Sequence, residues 1–361
     1  MKLREERAII SNYETYLNYI KSTFKIDFIE AIHKYAEDKG YSPEEELFDD
    51  FFNGFVLDTY TQEFFTKLKM QMSEAQYDVT TRVLTAYTFH IFNFDKAGKQ
   101  IFKFQKDITT KLNDTNIKKV DGYFVRLPAK SVYFSYPYNS EVHISNGVQG
   151  NLLVKGVYIY MNDITEKIIV DKTYYPEDNA RLIKILAIAG NPADLTKQIT
   201  FFATMVVKEG EDVFKSIENT LKNYLLNSTN LIIKNAEALF KLVLNSILYI
   251  NSANAEINPV KAKYNKQART FQEKAKEAPY SRINFKSVGD SITIERGYKE
   301  SIDNSNKGKR EIKALHWLVR PHVRMQAWGK DRSERKIIWI ERFEKGKDLG
   351  AKITPKTYKV K

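Results

Sequence analysis

The stretch Val319–Ile340 has the sequence VRPHVRMQAWGKDRSERKIIWI, and its pattern decides the interpretation of the fold. In its first arm, apolar residues alternate with Arg, His and Gln, as in a β-strand with one apolar and one basic face. The second arm, Ile337–Ile340, is apolar, and a Gly-Lys-Asp turn begins at Gly329 between the arms. The simplest geometry is a β-hairpin. Pro321 would occupy an edge strand, because proline cannot donate to a ladder.

The positive charge of the chain is concentrated around this hairpin. Residues 307–361 contain 17 Lys+Arg and 6 Asp+Glu, a net charge of +11, whereas the whole chain of 361 residues carries +12. All three tryptophans, Trp317, Trp328 and Trp339, lie in the same segment. Clustered cations with interleaved aromatics are typical of a surface that binds phosphate backbones. A disordered basic tail would lack such large aromatics.

The basic segment supplies the candidate binding residues. Its clustered guanidinium groups repel one another unless an anion neutralises them, so nucleic acid is the predicted ligand. Trp317 and Trp328 are candidates to stack on bases, although packing in the core or hairpin is the favoured role of the tryptophans. The predicted nucleic-acid-binding residues are Arg320, His322, Arg324, Gln326, Lys330, Arg332, Arg335, Lys336 and Arg342.

Few kinds of catalytic chemistry are visible in the sequence. The chain has no cysteine, which excludes disulfides, thiol catalysis and cysteine-based zinc sites. We find no phosphate-binding glycine loop, nucleophile elbow or metal-ligand spacing, so we expect no cofactor and no metal. The alternative is a metal-independent ribonuclease, in which His322 acts as general acid or base while Arg320 and Arg324 hold the phosphate. A purely structural, hydrogen-bonded His322 is weighted equally.

Changes of periodicity predict an α+β fold with four regions. It comprises a helical N-terminal part, a central mostly antiparallel sheet with packed helices, and a C-terminal basic β-hairpin. The four regions are a helical N-terminal region (1–95), an α+β central domain (96–257), a basic helix or linker with a mobile loop (258–314), and the basic Trp-rich hairpin and tail (315–361).

Local signals place the helices and strands. Ser42 begins a capping box that opens a phenylalanine-rich helix. Further helices are predicted at about residues 73–92, 211–227 and 231–250. Short β-branched and aromatic runs, punctuated by Gly, Pro, Asn and Asp, predict the strands. These runs are 101–104, 123–127, 132–134, 152–160, 168–170, 183–189 and 199–207.

The sequence predicts a soluble, cytoplasmic protein. The most apolar helical stretch, Leu231–Ile250, is interrupted by Lys234, Glu237 and Lys241, so we predict a buried helix and no membrane span. The first seven residues are largely charged, and no apolar core of a secretory signal follows them. The oligomeric state stays open.

The hairpin sequence resembles the C-terminal signature of the second subtype of the type V-A anti-CRISPR proteins and their relatives in phages and other mobile elements. The shared pattern is Arg-x-His-x-Arg from Arg320, an aromatic residue and glycine at Trp328-Gly329, and a basic strand that ends in Trp339. The paired helices are similar in order and spacing. A second similar block comprises Ile101-Phe-Lys-Phe104, Leu127-Pro128, Val132-Tyr133 and Gly156-Val-Tyr158.

The resemblance covers two-thirds of the chain in outline and implies a function. Members of that family are understood to suppress production of the CRISPR nuclease, because they recognise its N-terminal peptide during translation and the message is lost. By resemblance, the sheet would recognise a nascent polypeptide and the basic hairpin would face RNA or the ribosome. Ala129-Lys130 stands where relatives have an acidic–aromatic pair, and no peptide-contacting residue is identified. A general RNA-binding protein without peptide specificity is the remaining alternative.

Overall fold

A computed structural model shows how the β-branched and aromatic runs build the sheet and how the amphipathic segments cover it. Within the described residues the chain is α+β, as predicted from the change of periodicity. The structure describes residues 22, 69–70, 73–74, 86–87, 89–91, 93–94, 96–115, 120–136, 141–145, 151–164, 168–170, 173–175, 179–190, 198–225, 230–260, 284–292, 316–341 and 343–346.

A mixed sheet of eight strands forms the centre of the molecule. Its strands are β1 (Gln100–Phe104), β2 (Ser131–Ser135), β3 (His143–Ser145), β4 (Asn151–Ile164), β7 (Ala180–Gly190), β8 (Gln198–Lys208), β9 (Ile257–Pro259) and β10 (Asn284–Val288), while β5 (Ile168–Val170) and β6 (Thr173–Tyr175) form a small separate hairpin. The strand order is β8-β7-β4-β2-β1-β10-β9, with β3 paired to the start of β4. Strand β1 is parallel to β2 and to β10, and the other pairs are antiparallel. The mostly antiparallel sheet predicted from the sequence is thus confirmed.

Three helices pack on one face of the sheet: α1 (Lys106–Asp114), α2 (Val213–Leu225) and α3 (Asn230–Ile250). Residues 242–249 of helix α3 are buried all round, as expected for a helix inside a core, whereas Glu237, Ala238 and Lys241 are partly or fully exposed. Phe240 of α3 meets Phe201 of β8 edge to face. The Tyr136 hydroxyl, just after β2, lies 3.0 Å from the Ser246 hydroxyl of α3. The buried helix predicted for Leu231–Ile250 is thus confirmed for residues 242–249.

Aromatic side chains cover the opposite face of the sheet. The described residues between 86 and 94 are helical, in agreement with the helix predicted to end near residue 92. Phe89 contacts Tyr160 edge to face at 4.9 Å between ring centroids, and Phe94 contacts Tyr158 at 5.3 Å. Tyr133 lies beside Tyr158 at 4.5 Å. Both faces of the sheet are thus buried in this region.

The C-terminal segment forms the β-hairpin that the alternation predicted, and a second pair of strands extends it into a long two-stranded antiparallel ribbon. These are β11 (His316–Val319), β12 (His322–Trp328), β13 (Glu334–Ile340) and β14 (Phe343–Gly346). Strand β12 pairs with β13, and β11 pairs with β14. Pro321 lies between β11 and β12, where the ladder is interrupted, and not within an edge strand. A residue without an N–H marks that interruption.

Two segments differ from their predicted conformation. The run Tyr123–Leu127 is not a strand: Asp121 caps a 3-10 turn over Gly122–Phe124 by accepting the Tyr123 N–H at 2.7 Å. Strand β10 lies in the segment predicted as a basic helix or linker, and it extends the central sheet beside β1. The capping box at Ser42 lies outside the described residues. Division of the chain into the four predicted regions stays a prediction.

Candidate nucleic-acid interface

The register of β12 and β13 gives the ribbon an inner and an outer face. Residues directly opposite each other in an antiparallel pair share a face. Val323 is opposite Trp339 and Met325 is opposite Ile337. Val323, Ile337 and Trp339 are buried, so this set faces the body of the protein. The outer face carries the alternate residues, which are His322, Arg324, Gln326, Trp328, Glu334, Lys336, Ile338 and Ile340.

Trp339 fixes the inner face to the core. It is 3% exposed, and its ring meets Tyr249 of α3 edge to face at 5.4 Å. The indole Nε1–H donates to Thr115 Oγ1 at 3.4 Å, just after α1. Lys111 Nζ lies 6.0 Å from the ring centroid and 3.2 Å from a carboxylate oxygen of Glu341. The indole therefore joins the ribbon to two helices.

The turn after α3 binds the outer edge of β13. The Trp339 N–H donates to Asn254 Oδ1 at 3.0 Å, and Asn254 Nδ2 donates to the Trp339 carbonyl at 2.7 Å. The Ala253 N–H donates to the Ile337 carbonyl at 3.0 Å. A side-chain amide thus replaces the missing neighbouring strand, because it supplies one donor and one acceptor in the arrangement of a peptide group. The ribbon is held at a fixed position by backbone bonds as well as by packing.

On the outer face, the exposed indole of Trp328 lies among polar and charged side chains. Trp328 is 55% exposed at the end of β12, and Lys336 Nζ lies 5.1 Å from the centroid of its ring. Gln326 is opposite Lys336 and Arg324 is opposite Ile338. Arg324 and Trp328 therefore lie on one face of the same strand, on either side of Gln326.

The turn that joins β12 to β13 is tightly organised. Gly329 has φ 80°, and Asp331 and Arg332 have φ values of 55° and 56°, a left-handed region that non-glycine residues seldom adopt. Arg335 holds the turn through an Nη1–H that donates to the Arg332 carbonyl at 3.1 Å. The Ser333 hydroxyl donates to the Lys330 carbonyl at 2.9 Å. The turn is thus fixed by its own side chains.

The cations of the ribbon lack acidic partners within the described part of the chain. The ion pairs found there involve other basic residues, and none reaches the ribbon cations between Arg320 and Lys336. Guanidinium and ammonium groups that have no carboxylate partner can bind anions. The six cations concerned are Arg320, Arg324, Lys330, Arg332, Arg335 and Lys336.

The other predicted site residues include His322, Trp317 and Arg342. His322 Nδ1 lies 3.0 Å from the Arg320 carbonyl oxygen, and its ring is 6.5 Å from that of Phe343. Trp317 lies on β11 opposite Lys345. Arg342 lies outside the described residues. The binding roles predicted for these side chains stay predictions.

Sequence patterns did not indicate the residues that hold the ribbon. Asn254 and Thr115 bond to a tryptophan that is 85 and 224 positions away along the chain. A polar residue in a turn after a helix is common for local reasons, so no local signal marks these contacts. Among the described residues, no group of three metal-ligating side chains and no helix able to span a membrane is found.

Comparison with known proteins places this architecture, a helix-backed sheet with a basic ribbon, in one class of proteins, the anti-CRISPR proteins. The model of the Anti-CRISPR type V subtype A2 family matches residues 102–341, which include the sheet, the helices and the ribbon. The chain belongs to this family, as the resemblance of its hairpin indicated. The crystal structure of AcrVA2 is similar in fold, with a TM-score of 0.50 and 11% sequence identity over 92% of this chain and 98% of that chain. The comparison with curated proteins found no match.

Proposed function

We propose that this protein recognises the N-terminal peptide of a target protein as the ribosome makes it, and thereby lowers production of the target through loss of its messenger RNA. Its setting is the cytoplasm of a bacterial host, into which a phage or mobile element introduces it against host defence. The target proposed first is a type V CRISPR nuclease. Membership of the Anti-CRISPR type V subtype A2 family supports the anti-defence role and this choice of target.

The fixed ribbon is the structural observation that carries the proposal. Its inner face is locked into the core by Trp339, and its outer face presents cations that no described acidic group neutralises. A rigid cationic surface of this kind suits ribosomal or messenger RNA, because phosphate contacts supply sequence-independent affinity. Recognition of the peptide would then select the message, and RNA contact would keep the protein near the nascent chain. The peptide-binding residues are not assigned.

A reporter experiment separates recognition of the peptide from recognition of the RNA. The first codons of a type V CRISPR nuclease are fused to a reporter in cells that express this protein. Synonymous recoding keeps the peptide and changes the RNA, whereas a compensated frameshift keeps the RNA nearly unchanged and replaces the peptide. We expect loss of the recoded reporter message and no loss of the frameshifted one.

Two controls make the result interpretable. A reporter without its start codon is transcribed but not translated, so its message should persist if recognition requires a nascent chain. A family of fusions with unrelated N-terminal segments measures any general effect on messages. Equal loss of the frameshifted and recoded messages would overturn the proposal and favour a general RNA-binding protein.

A further inference from the structure

We propose that the tip of the ribbon binds single-stranded RNA, with an unpaired base stacked on the exposed face of Trp328 and the flanking phosphates held by Arg324, Arg332 and Lys336. This inference deepens the proposed function and rests on it for the biological setting, since it names the chemistry of the partner that the ribbon meets. Its test uses purified components and needs no target peptide. The two proposals can therefore fail separately.

The first observation that supports the inference is the environment of Trp328. Trp328 is 55% exposed, and the contact described for its ring is the Lys336 ammonium at 5.1 Å from the centroid. A single exposed apolar side chain on a protein surface is ordinary. An exposed indole with a cation against it and further cations along the strand is a combination suited to nucleic acid, because the ring can stack on a base while the cations meet the phosphates.

The second observation that supports the inference is that the turn between β12 and β13 is held in one conformation. Asp331 and Arg332 both have φ values in the left-handed region, where residues other than glycine are strained and where functional turns are often found. Arg335 and Ser333 donate to backbone carbonyls and hold the turn in this form. The Arg332 side chain is exposed at the turn, next to the strand that carries Trp328. The backbone of the turn therefore has little conformational freedom left to lose when a ligand binds.

The shape of the surface selects a single strand over a duplex. The bases of duplex RNA are already stacked on one another, and the deep, narrow major groove of the A-form helix excludes side chains. Unpaired bases, in contrast, are available to an aromatic ring. Trp328 projects from a two-stranded ribbon whose outer face otherwise carries charged, polar and aliphatic side chains, with Glu334 directly opposite Trp328. A stacking ring on this surface adds affinity for an unpaired base and adds none for a closed helix.

Binding of the full-length protein to labelled RNA tests the inference. The probes are a fluorescein-labelled uridine oligonucleotide and an RNA duplex of the same length, measured by anisotropy at several salt concentrations. We expect tighter binding of the single strand. Trp328→Leu should weaken that binding by about 5- to 150-fold, the range expected when one base–aromatic stack is removed. It should leave duplex binding and the salt dependence unchanged, since the phosphate contacts remain.

Matched variants distinguish the ribbon tip from general charge. Arg324→Gln with Lys336→Gln should reduce the slope of log affinity against log salt by about 0.7 for each phosphate contact that is removed. Lys215→Gln with Lys222→Gln removes the same charge from exposed positions on α2 and should change the slope little. Circular dichroism and thermal melting check that each variant is folded. An unchanged affinity of Trp328→Leu, equal binding of the duplex, or equally tight, Trp328-dependent binding of a polyglutamate peptide would overturn the inference.

Discussion

Trp328 and Trp339 belong to the two strands of one hairpin and face in opposite directions. Trp328 is paired with Glu334 and Trp339 with Val323. Because residues 334 and 339 are separated by an odd number of positions on β13, the two indoles point to opposite faces of the ribbon. One ring is 55% exposed and the other 3%. The first is available to a ligand, and the second is part of the core.

Alanine substitution of the two tryptophans should therefore have very different effects on stability. Trp339→Ala removes a buried ring that contacts Tyr249 and bonds to Thr115, and we expect it to lower the free energy of unfolding by about 3–5 kcal/mol. Trp328→Ala should change that free energy by about 0.5 kcal/mol or less, as is usual at the surface. Urea unfolding followed by circular dichroism measures both. Equal losses would show that the register assigned to the hairpin is wrong.

The bond pair between Asn254 and Trp339 gives a second stability prediction. Asn254→Ala leaves the Trp339 N–H and carbonyl without their side-chain partners, and two hydrogen bonds of this type contribute about 1–3 kcal/mol to the free energy of unfolding. Amide exchange should also quicken at Trp339. Asn254→Asp is an informative control: it keeps the acceptor for the N–H but places a carboxylate against the carbonyl. An unchanged exchange rate in Asn254→Ala would show that packing alone holds β13.

The ribbon could be predicted from the sequence because its alternation is local. The first arm alternates cleanly, so its apolar and basic faces follow from a period of two. The second arm did not allow this choice, because Ile337, Ile338, Trp339 and Ile340 are all apolar. The core decides between the two faces: Tyr249 of α3 and Thr115, just after α1, contact the indole of Trp339. Such contacts join positions far apart in the chain.

The errors in the central region have the same origin. Tyr123–Leu127 has the aromatic and β-branched composition of a strand. Its turn forms instead because Asp121 accepts N–H groups from Tyr123 and from Gly210, which follows β8. Strand β10 lies parallel to β1, about 180 positions away along the chain, in a lysine-rich setting that gave no strand signal. The bond from Gly210 to Asp121 and the pairing of β10 with β1 are long-range contacts that local propensity does not report, whereas the bond from Tyr123 to Asp121 is a local turn contact.

Burial of His90 predicts a dependence of stability on pH. The imidazole is fully enclosed, and burial together with the nearby Lys184 ammonium lowers its pKa from 6.5 to about 3. Below pH 6.5 the unfolded chain binds a proton that the folded protein does not, so this group lowers stability as the pH falls toward 3. From pH 7.5 to 5.5 we expect it to remove about 1.4 kcal/mol of unfolding free energy.

Substitution of His90 isolates this contribution. Urea unfolding at pH 7.5 and at pH 5.5 gives the pH-dependent change for the protein with histidine and for His90→Gln, in which the side chain does not titrate in this range. The change should be smaller in His90→Gln by about 1.4 kcal/mol. Identical changes in the two proteins would mean that the buried imidazole is protonated in the folded state or is hydrated at this pH.

Removal of charge from the ribbon should weaken binding to RNA or ribosomes and flatten its salt dependence. The variant replaces Arg320, Arg324, Arg335 and Lys336 with glutamine, and none of these four forms a described ion pair. Each phosphate contact that is removed should reduce the log–log salt slope by about 0.7–0.9. Co-sedimentation with ribosomes at several salt concentrations measures this slope. The same slope in the variant would identify the ribbon as a solubilising surface.

The last prediction separates a protein that binds from one that cleaves. If the protein acts by recognition, purified material should leave naked RNA intact with or without magnesium, and loss of the target message in cells should require translation. The ribonuclease alternative uses His322 as general acid or base, with Arg320 and Arg324 on the scissile phosphate. His322 and Arg324 do share the outer face of β12. His322 Nδ1 lies 3.0 Å from the Arg320 carbonyl oxygen, which can only accept, so Nδ1 would donate to it and Nε2 would be the nitrogen that takes up or gives the transferred proton. Loss of such a group typically lowers a rate by about 100- to 10,000-fold.

Cleavage of a defined RNA by the unmodified protein and by His322→Ala, in the presence of a chelator, distinguishes the two alternatives. Robust cleavage that the substitution abolishes would establish the ribonuclease. The absence of cleavage by both, with message loss still dependent on translation, would support recognition of the nascent chain.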